Sequence, residues 1–229
     1  MTLDKRLQAV ADFVPKGCKV ADIGTDHGYL AKYLYEQDNS RYVIAADLNA
    51  GPCEAARKTF AEFGLEDKIP VRQGSGLEPL SAGEVDTVCI AGMGGKLIAD
   101  ILAGKKEVFT GLKTAVLQPQ NAARELREWL LANDWHVADE TLAKVDGRVY
   151  QIIKAENGIS DDKYTDIELL VGPKIIKKRS ELFEEHIIGI RTGFEKVVEG
   201  LSKVKDLSDE QNMKLQETKE KIKELNSLL

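Results

Sequence analysis

Three cysteines and three histidines are all that this 229-residue chain offers a disulfide or a sulfur- and imidazole-ligated metal ion. Cys18, Cys53 and Cys89 are odd in number, far apart and set in apolar or helical contexts with no CxxC pair, so they are expected to be reduced core thiols. His27, His136 and His186 stand at no ligand spacing from one another or from a cysteine, which argues against a structural zinc and predicts no metal. No apolar run approaches the ~20 residues that a bilayer span needs. The opening segment MTLDKRLQAV has no apolar leader core. The expectation is a cytoplasmic protein without a membrane partner. A basic surplus is missing too: the net charge is −6, so a nucleic-acid partner would have to be met by a local patch.

What is present has the proportions of an ordinary globular protein, 43% apolar and 31% charged, with room for one α/β domain and a smaller element. An opening helical pattern (Leu3, Leu7, Val10, Phe13) leads into short β-type runs that alternate with helical stretches, the signature of a parallel sheet. The runs KVADIG, YVIAAD, IPVRQG, TVCIAG and TAVLQP are near-continuously apolar, as strands covered on both faces must be. Helices are expected over about 28–36, 52–63, 95–102 and 122–131. Two further runs, WHVADETLAK and RVYQIIKAE, flank Val145-Asp146-Gly147, and Asp-Gly is a strong signal for an antiparallel hairpin. Five parallel strands closed by an antiparallel pair give the class I, Rossmann-like methyltransferase sheet, assigned to residues 1–156.

The polar stretch NGISDDKYT reads as a linker opening the region 157–229. Beyond it Phe183, Ile187, Ile190, Phe194, Val197, Leu201 and Val204 repeat at alternating spacings of four and three, a heptad seam of roughly 33 Å at the helical rise. Leu215, Thr218, Ile222, Leu225 and Leu229 form a second seam behind a capping box at Ser208–Gln211. The short break between them predicts an antiparallel coiled-coil hairpin. Lys174, Lys177, Lys178, Arg179, Arg191, Lys196, Lys203 and Lys205 concentrate basic charge there. Solvated helix faces often carry such charge, and the rival reading is a contact with a polyanion.

The most informative segment is VADIGTDHGYL, a strand that runs through a glycine-containing loop into a helix. A dinucleotide site would need G-x-G-x-x-G. Here Asp26 takes the middle glycine's place and Tyr29 leaves no third. A carboxylate at Asp26 would repel a pyrophosphate, whereas Asp22 and Asp26 would attract the sulfonium and ammonium of S-adenosyl-L-methionine. Asp47 ends the second strand, where an acid can accept from both ribose hydroxyls of a nucleoside. Gly24, Thr25, His27 and Gly28 in the first loop, Leu48 after Asp47, Gly74-Ser75-Gly76 after the third strand and Ala91-Gly92 after the fourth complete the expected cofactor site. Met93-Gly94 and Gln118, Gln120 and Asn121 after the fifth strand form a candidate floor for a target group, with amides to read a base edge. Each acid also has a plain reading as a strand-end or helix cap. The tetrapeptide [DNS]PPY of many amino-methyltransferases is absent, which weakens the case for an exocyclic nitrogen as the target.

The combination ADIGTDHGYL, AADLNAGP, RQGSGL, IAGMGG and QPQN resembles the bacterial tRNA adenine-N1-methyltransferase family TrmK over nearly the whole chain, from Asp4-Lys5-Arg6-Leu7 to the C-terminal helices. The resemblance implies methylation of adenosine 22 in the D-loop region of tRNA, an S-adenosyl-L-methionine cofactor and a helical hairpin that helps to hold tRNA. It implies cofactor roles for Asp22, Gly24, Gly28 and Asp47 and a catalytic role for Asp26. Arg6, Lys177, Lys178 and Arg179 are carried as tRNA contacts, and the expected assembly is a monomer or weak homodimer. Ser75 stands where many relatives of this fold place an acid for the adenine amino group. The residues alone also admit a class I methyltransferase of another substrate, a non-catalytic RNA-binding protein that keeps a nucleoside fold, and, less well, a nicotinamide oxidoreductase.

Overall fold

The computed structural model describes residues 2–229, which form two compact units, the first ending at Asp162 and the second spanning 163–229. In the first, seven strands make one sheet in the order β3-β2-β1-β4-β5-β7-β6. Strands β1 (Val20–Ile23), β2 (Val43–Asp47), β3 (Val71–Gln73), β4 (Thr87–Met93) and β5 (Thr114–Pro119) are parallel. Strand β7 (Arg148–Asn157) lies antiparallel between β5 and β6 (Trp135–Val145). The β6–β7 turn pairs Val145 with Arg148, and Asp146 and Gly147 both have positive φ, 48° and 76°, as a two-residue hairpin of right-handed strands requires.

Side chains of a strand alternate between faces, and here each face has its own core. Ala21, Ile23, Ile44, Ala46, Val88, Ile90, Ala115 and Leu117 pack under α4 (Gly95–Ala103), α5 (Lys106–Phe109) and α6 (Ala123–Ala132) through Ile98, Leu102, Phe109, Leu126 and Leu130. Val20, Val43, Ala45, Cys89 and Val116 pack under α1 (Lys5–Phe13), α2 (Tyr29–Gln37) and α3 (Ala50–Glu62) through Val10, Leu30, Leu34, Ala56 and Phe60. Asp22 shares the parity of Val20, so the strand delivers its carboxyl to the face that α2 covers. All three cysteines are free and buried, and burial holds the thiols of Cys18 and Cys89 above the ordinary range. After β1 the chain steps to β2 and β3 on one side and then crosses to β4 on the other. The crevice at the carboxyl ends of β1 and β4 is therefore a topological switch point.

The second unit contains two short helices that the periodicity did not announce, α7 (Asp166–Val171) and α8 (Pro173–Lys178), and two long ones, α9 (Phe183–Ser202) and α10 (Asp209–Leu228). Reciprocal capping boxes open α7 at Thr165/Glu168 and α10 at Ser208/Gln211. Pro173 sits at the start of α8, and Arg179, in a left-handed conformation, ends it with its guanidinium 4.8 Å from the Phe183 ring centroid. The long helices pair across a short connection, and Arg191 in the middle of α9 donates to Asn226 near the end of α10 at 2.8 Å. Phe183, Ile187, Leu215, Thr218 and Leu225 are buried. Toward the far end the expected seam opens: Val197 and Val204 are exposed, and α9 stops at Ser202, before Val204. Among the described residues no helix is long and apolar enough to cross a membrane, and no group of three His, Cys, Asp or Glu could hold a metal.

Candidate active site

A cavity of about 470 Å³ opens at the switch point, within the ~300–1,000 Å³ usual for small-molecule sites. Its first wall is the loop after β1. Gly24 has φ +76°, and a Cβ there would collide with Cε of Met93, so both the turn and the approach of β4 demand glycine. The amides of Gly24 and Thr25 donate to the Ala46 carbonyl at 2.8 and 3.0 Å, which ties the loop to β2. Asp22 lies buried beneath it and accepts from Oγ1 of Thr25 at 2.6 Å. Burial pushes this carboxyl up to about 6; the Thr25 hydroxyl and the Ala31 amide in the first turn of α2 pull against the rise, and the charge of Asp47 adds to it.

Asp47 at the end of β2 accepts from the Asn49 amide at 2.9 Å, and the Asp26 amide points at its other oxygen from 3.5 Å. Asp26 itself adopts a left-handed backbone, φ 51°, and its side chain is 74% exposed at the cavity mouth, 3.8 Å from Nε2 of His27. The His27 ring stacks on Tyr29 with centroids 5.4 Å apart. Three carboxylates thus line the cavity. Leu48, Gly74, Ser75 and Gly76 continue the lining along β2 and β3, opposite Leu97 and Ile101 of α4. Sequence reading missed Leu97 and Ile101, along with Leu7, Ile23, Tyr29, Leu30 and Asn49. The α4 pair was legible in principle: Ile98 and Leu102 face the core, which leaves the i, i+4 pair Leu97 and Ile101 on the next stripe.

Ala91, Gly92 and Met93 also line the cavity, where a bulge interrupts β4 against β5 and Gly92 has φ +79°. Here two residues are engaged within the protein. Gln118, expected to present its amide to a base edge, is 0% exposed: Oε1 accepts from Nη1 of Arg6 at 2.7 Å and from the Gly92 amide at 3.0 Å, and Nε2 donates to the Pro119 carbonyl at 3.0 Å. Gly28, expected at the cofactor, does not line the cavity. Its missing Cβ makes room for Phe60, which would otherwise stand at 2.7 Å, so this glycine seats α2 against α3.

Gly94 also lies off the cavity, as the N-cap of α4 with Oδ1 of Asn121 beside it. Gln120 and Asn121 are exposed on the loop that follows β5. Lys177, Lys178 and Arg179 are exposed at the C-terminal end of α8 in the second unit, where cations also complement the helix dipole.

A parallel sheet reversed at β1, an acid-lined cavity at its carboxyl edge and an antiparallel final pair define a class I, Rossmann-like S-adenosyl-L-methionine methyltransferase. A family model described as tRNA (adenine(22)-N(1))-methyltransferase, TrmK, matches residues 20–227. The tRNA (adenine(22)-N(1))-methyltransferase of Bacillus subtilis is 38% identical over 98% of this chain and 93% of its own. The crystal structure of the Bacillus subtilis M1A22 tRNA methyltransferase TrmK matches with a TM-score of 0.89 and 35% identity, covering 99% of this chain and 98% of that one. A Streptococcus pneumoniae protein solved in complex with S-adenosyl-L-methionine matches over 100% of both chains with a TM-score of 0.85 and 30% identity. The chain belongs to the TrmK family of tRNA (adenine(22)-N(1))-methyltransferases.

Proposed function

We propose that this protein methylates N1 of adenosine 22 in tRNA with S-adenosyl-L-methionine as the methyl donor. The observation that carries the reading is the charge of the cavity lining in a chain of this family: Asp22, Asp26 and Asp47 with Arg6 and the glycines of three loops. S-adenosyl-L-methionine, when bound, supplies an electrophilic methyl on a sulfonium. The carboxylates suit that cation and the donor's ammonium, and they are hostile to a pyrophosphate. Asp47 would accept the ribose hydroxyls, Asp22 would face the cationic methionine portion with Gly24 and Thr25, and His27 borders that wall. Leu48, Gly74, Ser75 and Gly76, with Leu97 and Ile101, would enclose the adenine, and Ala91 and Gly92 would lie beneath the reacting centre.

N1 of a neutral adenine is nucleophilic but is blocked by pairing, so the target base has to leave its stack to enter the cavity. Transfer leaves that adenine cationic. Asp26, exposed at the mouth, would stabilise the developing charge or take a proton from N6. Met93, Gln120 and Asn121 border the place where the base would arrive, and Lys177, Lys178 and Arg179 give the second unit a basic site for the tRNA backbone. The work is assigned to the cytoplasm and to a monomer or weak homodimer. Incubation with tRNA lacking the modification, followed by nucleoside mass spectrometry and mapping, tests the proposal. One 1-methyladenosine at position 22 is the expected result. Methylation at another position or in another RNA, or none, would overturn it.

A further inference from the structure

We propose that Arg6 binds a phosphodiester of the tRNA beside the target nucleotide and that Gln118 is the positioning residue that holds it there; this rests on the tRNA reading above. Among the described residues lining the cavity, Arg6 is the one lysine or arginine. It stands in the first turn of α1, 112 residues before Gln118, and its guanidinium is fixed from three sides. Gln118 accepts its Nη1 proton at 2.7 Å, the Tyr150 ring centroid lies 5.9 Å away, and Asp4 approaches Nη2 at 3.6 Å.

A buried amide is destabilising unless its hydrogen bonds are made. At the buried end of β5 an apolar side chain would serve packing equally well. Gln118 instead gathers two donors on one oxygen, from Arg6 on α1 and from the Gly92 amide at the β4 bulge, while its nitrogen is taken by the Pro119 carbonyl. The arrangement locks the cation of α1 to the floor on which the target would rest. Because Gln118 is a neutral acceptor, it orients the guanidinium without cancelling its charge, and an arginine keeps further N–H donors for a ligand.

The charge of Arg6 chooses the ligand class. Beside a base that becomes cationic, a guanidinium would oppose the reaction. Opposite a phosphodiester it forms a charge-assisted, forked hydrogen bond. Within one cavity lining the carboxylates suit the cationic donor and Arg6 suits the polyanion.

The test measures tRNA methylation across a salt series, with S-adenosyl-L-methionine affinity determined in parallel by calorimetry. Arg6→Gln should lower kcat/KM by about 10- to 100-fold, with the loss in KM rather than kcat. It should also flatten the log–log salt dependence by about 0.7–0.9, the contribution of one phosphate contact. Cofactor affinity should stay within about twofold. Gln118→Glu keeps an acceptor for both donors but pairs the guanidinium with a carboxylate, so it should flatten the salt dependence by a similar amount. Gln118→Met removes the acceptor, and the double variant Arg6→Gln/Gln118→Met should be no worse toward tRNA than Arg6→Gln alone.

A raised KM with the wild-type salt slope would mean that Arg6 meets the base, and would overturn the proposal, as would a Gln118→Glu protein with an unchanged slope. Loss of cofactor affinity equal to the loss of activity would overturn it as well. A wild-type protein that methylates no tRNA refutes the functional reading itself, whereas an active wild type with Arg6→Gln indistinguishable from it refutes this inference alone. Should Gln118→Met fail to fold, Arg6→Gln and Gln118→Glu decide the question.

Discussion

Replacing Asp22 by asparagine should make the free protein more stable and the cofactor complex weaker. Asparagine is nearly isosteric and its oxygen can still accept from the Thr25 hydroxyl and the Ala31 amide, so the perturbation removes charge and little else. The Asp22 carboxyl is raised from 3.8 to about 6 in the folded chain. The sign follows by linkage: a raised carboxyl favours the folded state at low pH, and that contribution is lost as pH rises from the unfolded value through about 6. A shift of about two units at ~1.36 kcal/mol each makes ionised Asp22 cost about 3 kcal/mol at pH 7 and roughly half that at pH 5.

Denaturant titrations of both proteins without cofactor should therefore show Asp22→Asn more stable by about 3 kcal/mol at pH 7, worth roughly 6–12 °C in Tm, with the difference shrinking as pH falls to 5. Taking the difference between the two proteins removes the titration of all other groups, including Glu84, which the Arg72 guanidinium holds down at about 2. Excess S-adenosyl-L-methionine should narrow the gap, since a ligand at 100 times Kd stabilises the wild type by about 2.7 kcal/mol and the variant should bind it more weakly. An Asp22→Asn protein no more stable than wild type at pH 7, or a difference that does not change with pH, would refute the burial argument. Unchanged cofactor affinity would remove Asp22 from the binding site.

Asp26→Asn should slow methyl transfer by ~10²–10⁴-fold with near-normal folding and cofactor affinity, because asparagine tolerates the left-handed backbone that residue 26 adopts. Single-turnover kinetics beside a calorimetric titration separate the outcomes, and near-normal turnover would return Asp26 to a turn-forming role. Asp47→Ala should weaken S-adenosyl-L-methionine binding by about 1.5–3 kcal/mol, and calorimetry that finds the wild-type affinity would exclude Asp47 from the ribose site. A protein ending at Asp162 keeps both sheet cores, which lie within its residues. It should retain cofactor affinity while tRNA binding falls and loses part of its salt dependence. Equal tRNA affinity for the truncated chain would make the second unit a structural element.

The sequence by itself determined the elements whose causes are local. Four of the apolar runs became buried strands, whereas IPVRQG gave only the short, partly exposed edge strand β3; Asp146-Gly147 made the tight turn, and Ser208 with Gln211 opened a helix. The same holds for the carboxylates: β1 and β2 end on acids because the chain says so, and the parallel register of β1 with β2 then brings their ends together at one edge. The helices α7 and α8 were illegible, being too short to show a period. Val197 and Val204 satisfied the heptad spacing and yet stand exposed, because a period fixes a face but not whether a partner covers it.

Tertiary structure decided what each polar group does. Gln118 and Gly28 looked like ligand contacts from their neighbours in sequence, but burial and hydrogen bonding are properties of neighbours in space. Gln118 turns out to serve Arg6 and Gly92, and Gly28 to serve Phe60. Only the packing of α1 on the sheet could bring Arg6 and the Gly92 amide to one oxygen of Gln118 and put a guanidinium in the same cavity lining as three carboxylates.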